Sequence, residues 1–132
     1  MGHVDEDGLT GAVIGAAIEV HRGLGPGLLE SVYDECLCHE LALRGIAFER
    51  QVSIPILYKG VTLACGYRAD LVVEKRVLVE LKVVEALQKL HVAQVLTYLR
   101  LSRLEVGLVI NFNAVPLRQG LRRLTVDARP GT

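Results

Sequence analysis

Residues 66–82 constrain the chain most. Leu71-Val72-Val73 and Val77-Leu78-Val79 flank a charged break, Glu74-Lys75-Arg76. Apolar, β-branched runs around a short charged break mark a β-hairpin. A three-residue loop sets Val73 against Val77, Val72 against Leu78 and Leu71 against Val79. Asp70 then faces Glu80. Side chains alternate along a strand, so Asp70, Val72, Leu78, Glu80 and Lys82 share one face. The other face, Leu71, Val73, Val77, Val79 and Leu81, is wholly apolar. Both faces therefore need cover, which a layered α/β arrangement supplies.

The same register contains an electrostatic oddity. Two carboxylates directly opposite each other repel, and burial adds a desolvation penalty. A divalent cation compensates both, and Lys82 adds a positive charge on the same side. Hard oxygen ligands suit Mg²⁺, which keeps waters that phosphate can replace. The plainer reading is a cross-strand ion pair at the wet end of a hairpin, and spacing alone favours it slightly.

The 132 residues suit one domain with a real core. They are 51% hydrophobic and 23% charged, a globular balance. Fifteen basic and fifteen acidic residues cancel, so any polyanion must be met locally rather than by an overall field. Cys36, Cys38 and Cys65 lack a framework spacing and read as reduced thiols of a cytoplasmic protein. The acidic start lacks a signal-peptide pattern, and no apolar run is long enough to span a membrane.

Along the chain, residues 1–8 read as a loose lead-in and residues 127–132 as a tail of one domain. Thr10 is placed to cap a helix over 10–22, with Val13, Ile14, Ala17, Ile18 and His21 on its buried stripe. Gly23-Leu24-Gly25-Pro26-Gly27 connects to a helix over 27–44, with Pro26 in its first turn and Gly45 as its left-handed cap. Strands follow over 46–52, 54–58 and 61–64, with a break at Pro55, a turn at Lys59-Gly60, and a possible continuation of the last one into the hairpin. A helix over 88–100 buries Val92, Val95, Leu96 and Leu99. Residues 105–111 read as a strand covered on both sides, and residues 120–126 as the last strand.

Other residues join the two acids as candidates. Glu30 lies at a helix start, where the macrodipole alone favours an acid, yet beside the apolar stripe. Gln94 and Tyr98 share a helix face four residues apart, with His91 three before Gln94. A solvated flank with a half-buried tyrosine is the commoner meaning of that pattern. His21 precedes the glycine-rich connector, Arg68 lies two residues before Asp70, and Arg118, Arg122 and Arg123 form a modest basic cluster. The connector lacks a phosphate-loop lysine and is no nucleotide cradle.

Gly27-Leu28-Leu29-Glu30-Ser31-Val32-Tyr33 resembles the signature of the GxxExxY proteins, a prokaryotic family assigned to the PD-(D/E)XK nuclease superfamily. The likeness extends through residues 20–27, Gln51, Tyr67-Arg68-Ala69-Asp70, Glu80-Leu81-Lys82, residues 93–99 and residues 107–112. Ala69 stands where the superfamily name has proline. The resemblance implies a restriction-endonuclease-like core: a mixed central β-sheet flanked by helices, in the order two helices, strands, helix, strands. It implies Mg²⁺ or Mn²⁺ held by Asp70, Glu80, Glu30 and the Leu81 carbonyl, with Lys82 positioning the nucleophile. Gln94 and Tyr98 match the Gln-x-x-x-Tyr element of an exonuclease-like branch, and His21 its upstream histidine. With Arg68, these would contact substrate.

The function expected is metal-dependent hydrolysis of DNA phosphodiester bonds. The alternative is a catalytically inactive module of the same fold that binds nucleic acid or a protein partner. A homo-oligomer is a third possibility, with residues 118–123 or the strand at 105–111 near its interface. Under the nuclease reading, Asp70, Glu80, Lys82 and Glu30 must converge at one end of the sheet.

Overall fold

The computed structural model describes residues 2–127, with side chains from Gly8 onward. Three helices and seven strands follow in chain order. They are α1 (Gly2–Leu24), α2 (Glu30–Leu43), β1 (Phe48–Ser53), β2 (Ile56–Tyr58), β3 (Val61–Leu63), β4 (Arg68–Val73), β5 (Val77–Lys82), α3 (Lys89–Ser102), β6 (Val106–Asn111) and β7 (Leu121–Thr125). A short 3₁₀ helix, Leu117–Gly120, precedes β7.

The five-stranded sheet has the order β1-β4-β5-β6-β7. Only β5 and β6 run parallel, and α3 makes the crossover that a parallel pair requires. The β4–β5 register is the predicted one: Val73 with Val77, Val72 with Leu78, Leu71 with Val79. Glu74 and Lys75 turn the hairpin with positive φ angles of 52° and 58°, as primed turns demand. The Arg76 N–H closes the turn on the Val73 carbonyl at 2.9 Å.

Each face of the sheet carries its own core. Leu71, Val73, Val77, Val79 and Leu81 pack with Val13, Ala17 and Val20 of α1 and Tyr33, Leu37 and Leu41 of α2. Val72 and Leu78 pack with Val95, Tyr98 and Leu99 of α3. The expected sandwich is therefore present, with the amino-terminal helices on one side and α3 on the other. All six β6 residues are buried, and β6 lies between β5 and β7, so it is not available to an oligomer interface.

Several local expectations are corrected. The helix expected from Thr10 begins at Gly2, so residues 2–8 are helical and Thr10 is a buried interior position. Pro26 lies in the connector and α2 starts at Glu30. Gly45 does take a left-handed conformation after α2, at φ 71°. β3 does not run into β4: it pairs with β2 in a separate two-stranded wing. On α3 the buried stripe is Val95, Tyr98 and Leu99, spaced i, i+3 and i+4, so Tyr98 takes the core place expected of Val92 and Leu96. Asp127 follows β7 without regular structure, and residues 128–132 lie outside the described residues.

Candidate active site

The strand ladder between β4 and β5 stops at Leu71 and Val79. Beyond it, side chains replace the backbone. The Asp70 N–H donates to Glu80 Oε1 at 2.8 Å, and the Leu81 N–H donates to Asp70 Oδ2 at 2.7 Å. Each carboxylate thereby answers a buried backbone donor that the parted strands would leave unsatisfied. Each also keeps a second oxygen outside those bonds. On the far side of β5, the Phe112 N–H donates to the Lys82 carbonyl at 2.9 Å. Successive residues of a strand address opposite neighbours, so Leu81 turns its N–H and carbonyl toward β4 and Asp70.

Strict alternation fails at Asp70. Ala69 packs in the α3-side core and Leu71 in the opposite one, although alternation places them together. Gln51, opposite Asp70 on β1, has a positive φ of 52°. Phe48 and Val52 likewise divide between the two cores across it. The paired strands β1 and β4 thus change phase at one level. Asp70 turns toward α2, where it lines a cavity of about 220 Å³ with Glu30, Asp34, Arg50 and Gln51. Glu80 keeps its phase with Leu78 and faces the α3 side.

Glu30 and the Gln94–Tyr98 pair therefore approach from opposite faces of the sheet. The expectation that Asp70 shares its face with Val72 and Leu78 is corrected by the phase change. The site lies at the end of the sheet, between its two layers.

The electrostatics follow from this crowding. Burial first, and then the Asp70 charge, push Glu80 up to about 7. Burial chiefly raises Asp70 as well, opposed by the Leu81 N–H, while the Asp34 charge adds to the rise and Lys82 and a Gln51 hydrogen bond oppose it. Glu30 is raised by burial and then by Asp70, with Lys82 opposing. Lys82 Nζ lies 4.0 Å from Glu80 Oε2, with both side chains largely buried. Four charged side chains from α2, β4 and β5 thus sense one another at one end of the sheet.

The remaining candidates separate. Tyr98 is in the core, and its hydroxyl is raised by burial and then by Glu80. Gln94 lines a cleft with Tyr98. His91 accepts the Gln88 N–H at 3.0 Å, closing the amino end of α3, so it is occupied structurally. Arg68 is exposed at the start of β4. His21 packs its ring 6.4 Å from Phe112, and its buried Nε2 has no hydrogen-bond partner among the described residues. Arg122 caps the Gln119 and Leu121 carbonyls.

Three residues were not singled out for the site from sequence. Asp34 is buried and bonds Arg50 at 2.7 Å. It stands four after Glu30, next to Tyr33 on the apolar stripe, and an acid there was the available signal. Gln51 was marked only by the family resemblance, without a role, and Arg50 had no signal.

The sequence model of the PD-(D/E)XK nuclease superfamily matches residues 7–124. The chain belongs to the PD-(D/E)XK nuclease superfamily. Its mixed sheet between helical layers agrees with that membership. No curated protein and no solved structure matches the chain at a significant level. Among the described residues no helix is long and apolar enough to cross a membrane.

Divalent cations are typical of the superfamily. Among the described residues, no group of three His, Cys, Asp or Glu side chains is gathered closely enough to enclose one. Asp70 and Glu80 still fit Mg²⁺ or Mn²⁺. Such ions are commonly held by one or two carboxylates, with water and phosphate completing the shell. Asp70 Oδ1 and Glu80 Oε2, which lie outside the two backbone bonds, are hard oxygen donors of that kind.

Proposed function

We propose that this superfamily member is a nuclease that hydrolyses DNA phosphodiester bonds with Mg²⁺ or Mn²⁺. The reciprocal bonding of Asp70 and Glu80, with Lys82 beside Glu80, carries the reading. It concentrates two acids where burial and repulsion disfavour both charges. A surface ion pair needs no such arrangement.

Asp70 and Glu80 are assigned as ligands, with the Leu81 carbonyl as a third oxygen and Glu30 reaching in directly or through water. A bound cation supplies a polarised phosphoryl oxygen and a more acidic water. Lys82 orients the attacking water and offsets negative charge developing on the phosphate. Gln94, Tyr98, Arg68 and His21 are assigned to substrate contact. With zero formal net charge, these local groups must do the work of an overall basic field. A cytoplasmic setting accords with the free thiols of Cys36, Cys38 and Cys65.

Cleavage of single-stranded, double-stranded and branched DNA with Mg²⁺ and Mn²⁺ tests the proposal. Activity abolished by Glu80→Gln and Lys82→Ala supports it. Activity unchanged by either sinks it. Metal-independent DNA binding without cleavage identifies a binding module instead.

A further inference from the structure

A cleft of about 330 Å³ opens on the α3 side, lined by Tyr67, Leu90, His91, Gln94, Thr97 and Tyr98. The Tyr67 and Tyr98 rings lie 5.7 Å apart at 48°. Tyr98 is 5% exposed and forms the floor, whereas Tyr67 is 39% exposed and presents ring surface to solvent. Leu90, 75% exposed, stands at the margin as apolar surface the fold does not use. His91 Nδ1 is already engaged at the end of α3. Gln94 brings an amide that both donates and accepts.

Aromatic surface beside a donor–acceptor amide is the chemistry that grips a nucleobase, by stacking on its face and bonding to its edge. A base offers its face only when it is unpaired and unstacked. The cleft also lies near the candidate active site. Tyr67 lies three residues before Asp70, and the Tyr98 hydroxyl feels the Glu80 and Asp70 charges.

We propose that this cleft receives the unpaired base of the nucleotide beside the scissile phosphate, so that the substrate is single-stranded or frayed nucleic acid. The proposal rests on the nuclease reading above and adds the substrate class. Tyr67 is the stacking platform, Leu90 the apolar margin and Gln94 the edge contact.

Fluorescence anisotropy of the full chain tests it, in a Glu80→Gln background that prevents turnover. The probes are a labelled single-stranded oligonucleotide and its blunt duplex. Tyr67→Ala is expected to weaken single-strand binding by about 5- to 150-fold, the range that a stacked base contributes. Tyr67→Phe is expected to bind as the parent does, and duplex binding to change in neither variant. Leu90→Ala, at an exposed position that folding does not need, is expected to weaken single-strand binding in the same direction.

Single-strand affinity unchanged in both Tyr67→Ala and Leu90→Ala overturns the proposal. An equal loss for duplex also overturns it. So does a change of oligomeric state in light scattering, which makes the cleft an interface between copies. Failure of the nuclease reading looks different. Wild-type protein that cuts nothing, yet binds single strands through Tyr67, loses the catalysis and keeps the cleft.

Discussion

Asp70 and Glu80 hold each other's strands. The Asp70 N–H donates to Glu80 at 2.8 Å, and Asp70 accepts at 2.7 Å from Leu81, the residue after Glu80. The two acids thereby replace the ladder where it ends, and they do so with like charges in a buried place. Their geometry is fixed by backbone donors, whereas their ionisation is opposed by their surroundings. That combination holds the acids in place before any cation arrives.

Stability is expected to fall as pH rises. Glu80 is pushed from an ordinary 4.5 up to about 7, chiefly by burial and then by Asp70. An acid raised in the folded state leaves stability intact below its unfolded pKa. Stability is then lost as the pH climbs through the folded pKa. The shift corresponds to roughly 3 kcal/mol at most. Asp70 and Glu30 are raised too and act in the same direction. Urea midpoints should drop between pH 4.5 and 7, and Glu80→Gln should flatten that drop. A wild-type and a mutant curve of equal slope would contradict the expectation.

Divalent cations should reverse this loss. Ligands bind metal when deprotonated, and a ligand that binds only the folded state stabilises it. Millimolar Mn²⁺ is expected to raise the melting temperature more at about pH 8 than at about pH 5. The gain should vanish in the Asp70→Asn, Glu80→Gln double variant. Thermal melts with and without chelator measure it.

Lys82 is expected to act on rate rather than on folding. Its ammonium lies 4.0 Å from Glu80, an ion-pair distance rather than a hydrogen bond. Lys82→Met should lower kcat by about 10²- to 10³-fold, the usual effect of losing one charge-stabilising donor. Mn²⁺ binding by calorimetry should persist. Loss of metal binding instead would make Lys82 a structural residue.

Tyr33 ties the glycine-rich connector to α2. Its hydroxyl donates to the Gly25 carbonyl at 2.6 Å and accepts from the Leu28 N–H at 3.2 Å. Its ring stacks on Phe112 at 4.5 Å. Tyr33→Phe keeps the stack and removes both bonds, at a cost of about 1–3 kcal/mol. Because Glu30 follows this connector directly, Mn²⁺ affinity should weaken as well. Denaturant titration and calorimetry separate the two effects.

Gly120 tolerates no side chain. A Cβ there would lie 2.6 Å from the Asn111 carbonyl oxygen and 2.6 Å from Ala114 Cβ. Both are held by backbone, so Gly120→Ala should cost about 1–3 kcal/mol. Gly23→Ala meets nothing within 4 Å and sits in α1, where alanine favours helix. It should be neutral or slightly stabilising in the same urea assay.

What the sequence determined by itself was local. The Val73–Val77 register, the two apolar faces and the buried strand at β6 all follow from periodicity and loop length, which consecutive residues carry. The acid pair could be located for the same reason, since a hairpin register places Asp70 level with Glu80. Tertiary structure decided the rest. The phase change at Asp70 and Gln51 depends on two strands giving way together, and no single run of residues encodes a positive φ at a glutamine. The Asp34–Arg50 pair joins α2 to β1. The Tyr67–Tyr98 contact joins opposite ends of the chain's middle. Glu30 and Tyr98 reach the acids from opposite layers because each helix buries its own stripe on its own face of the sheet. Such meetings are set by how separate elements pack, and periodicity is silent about the partner a buried face will find.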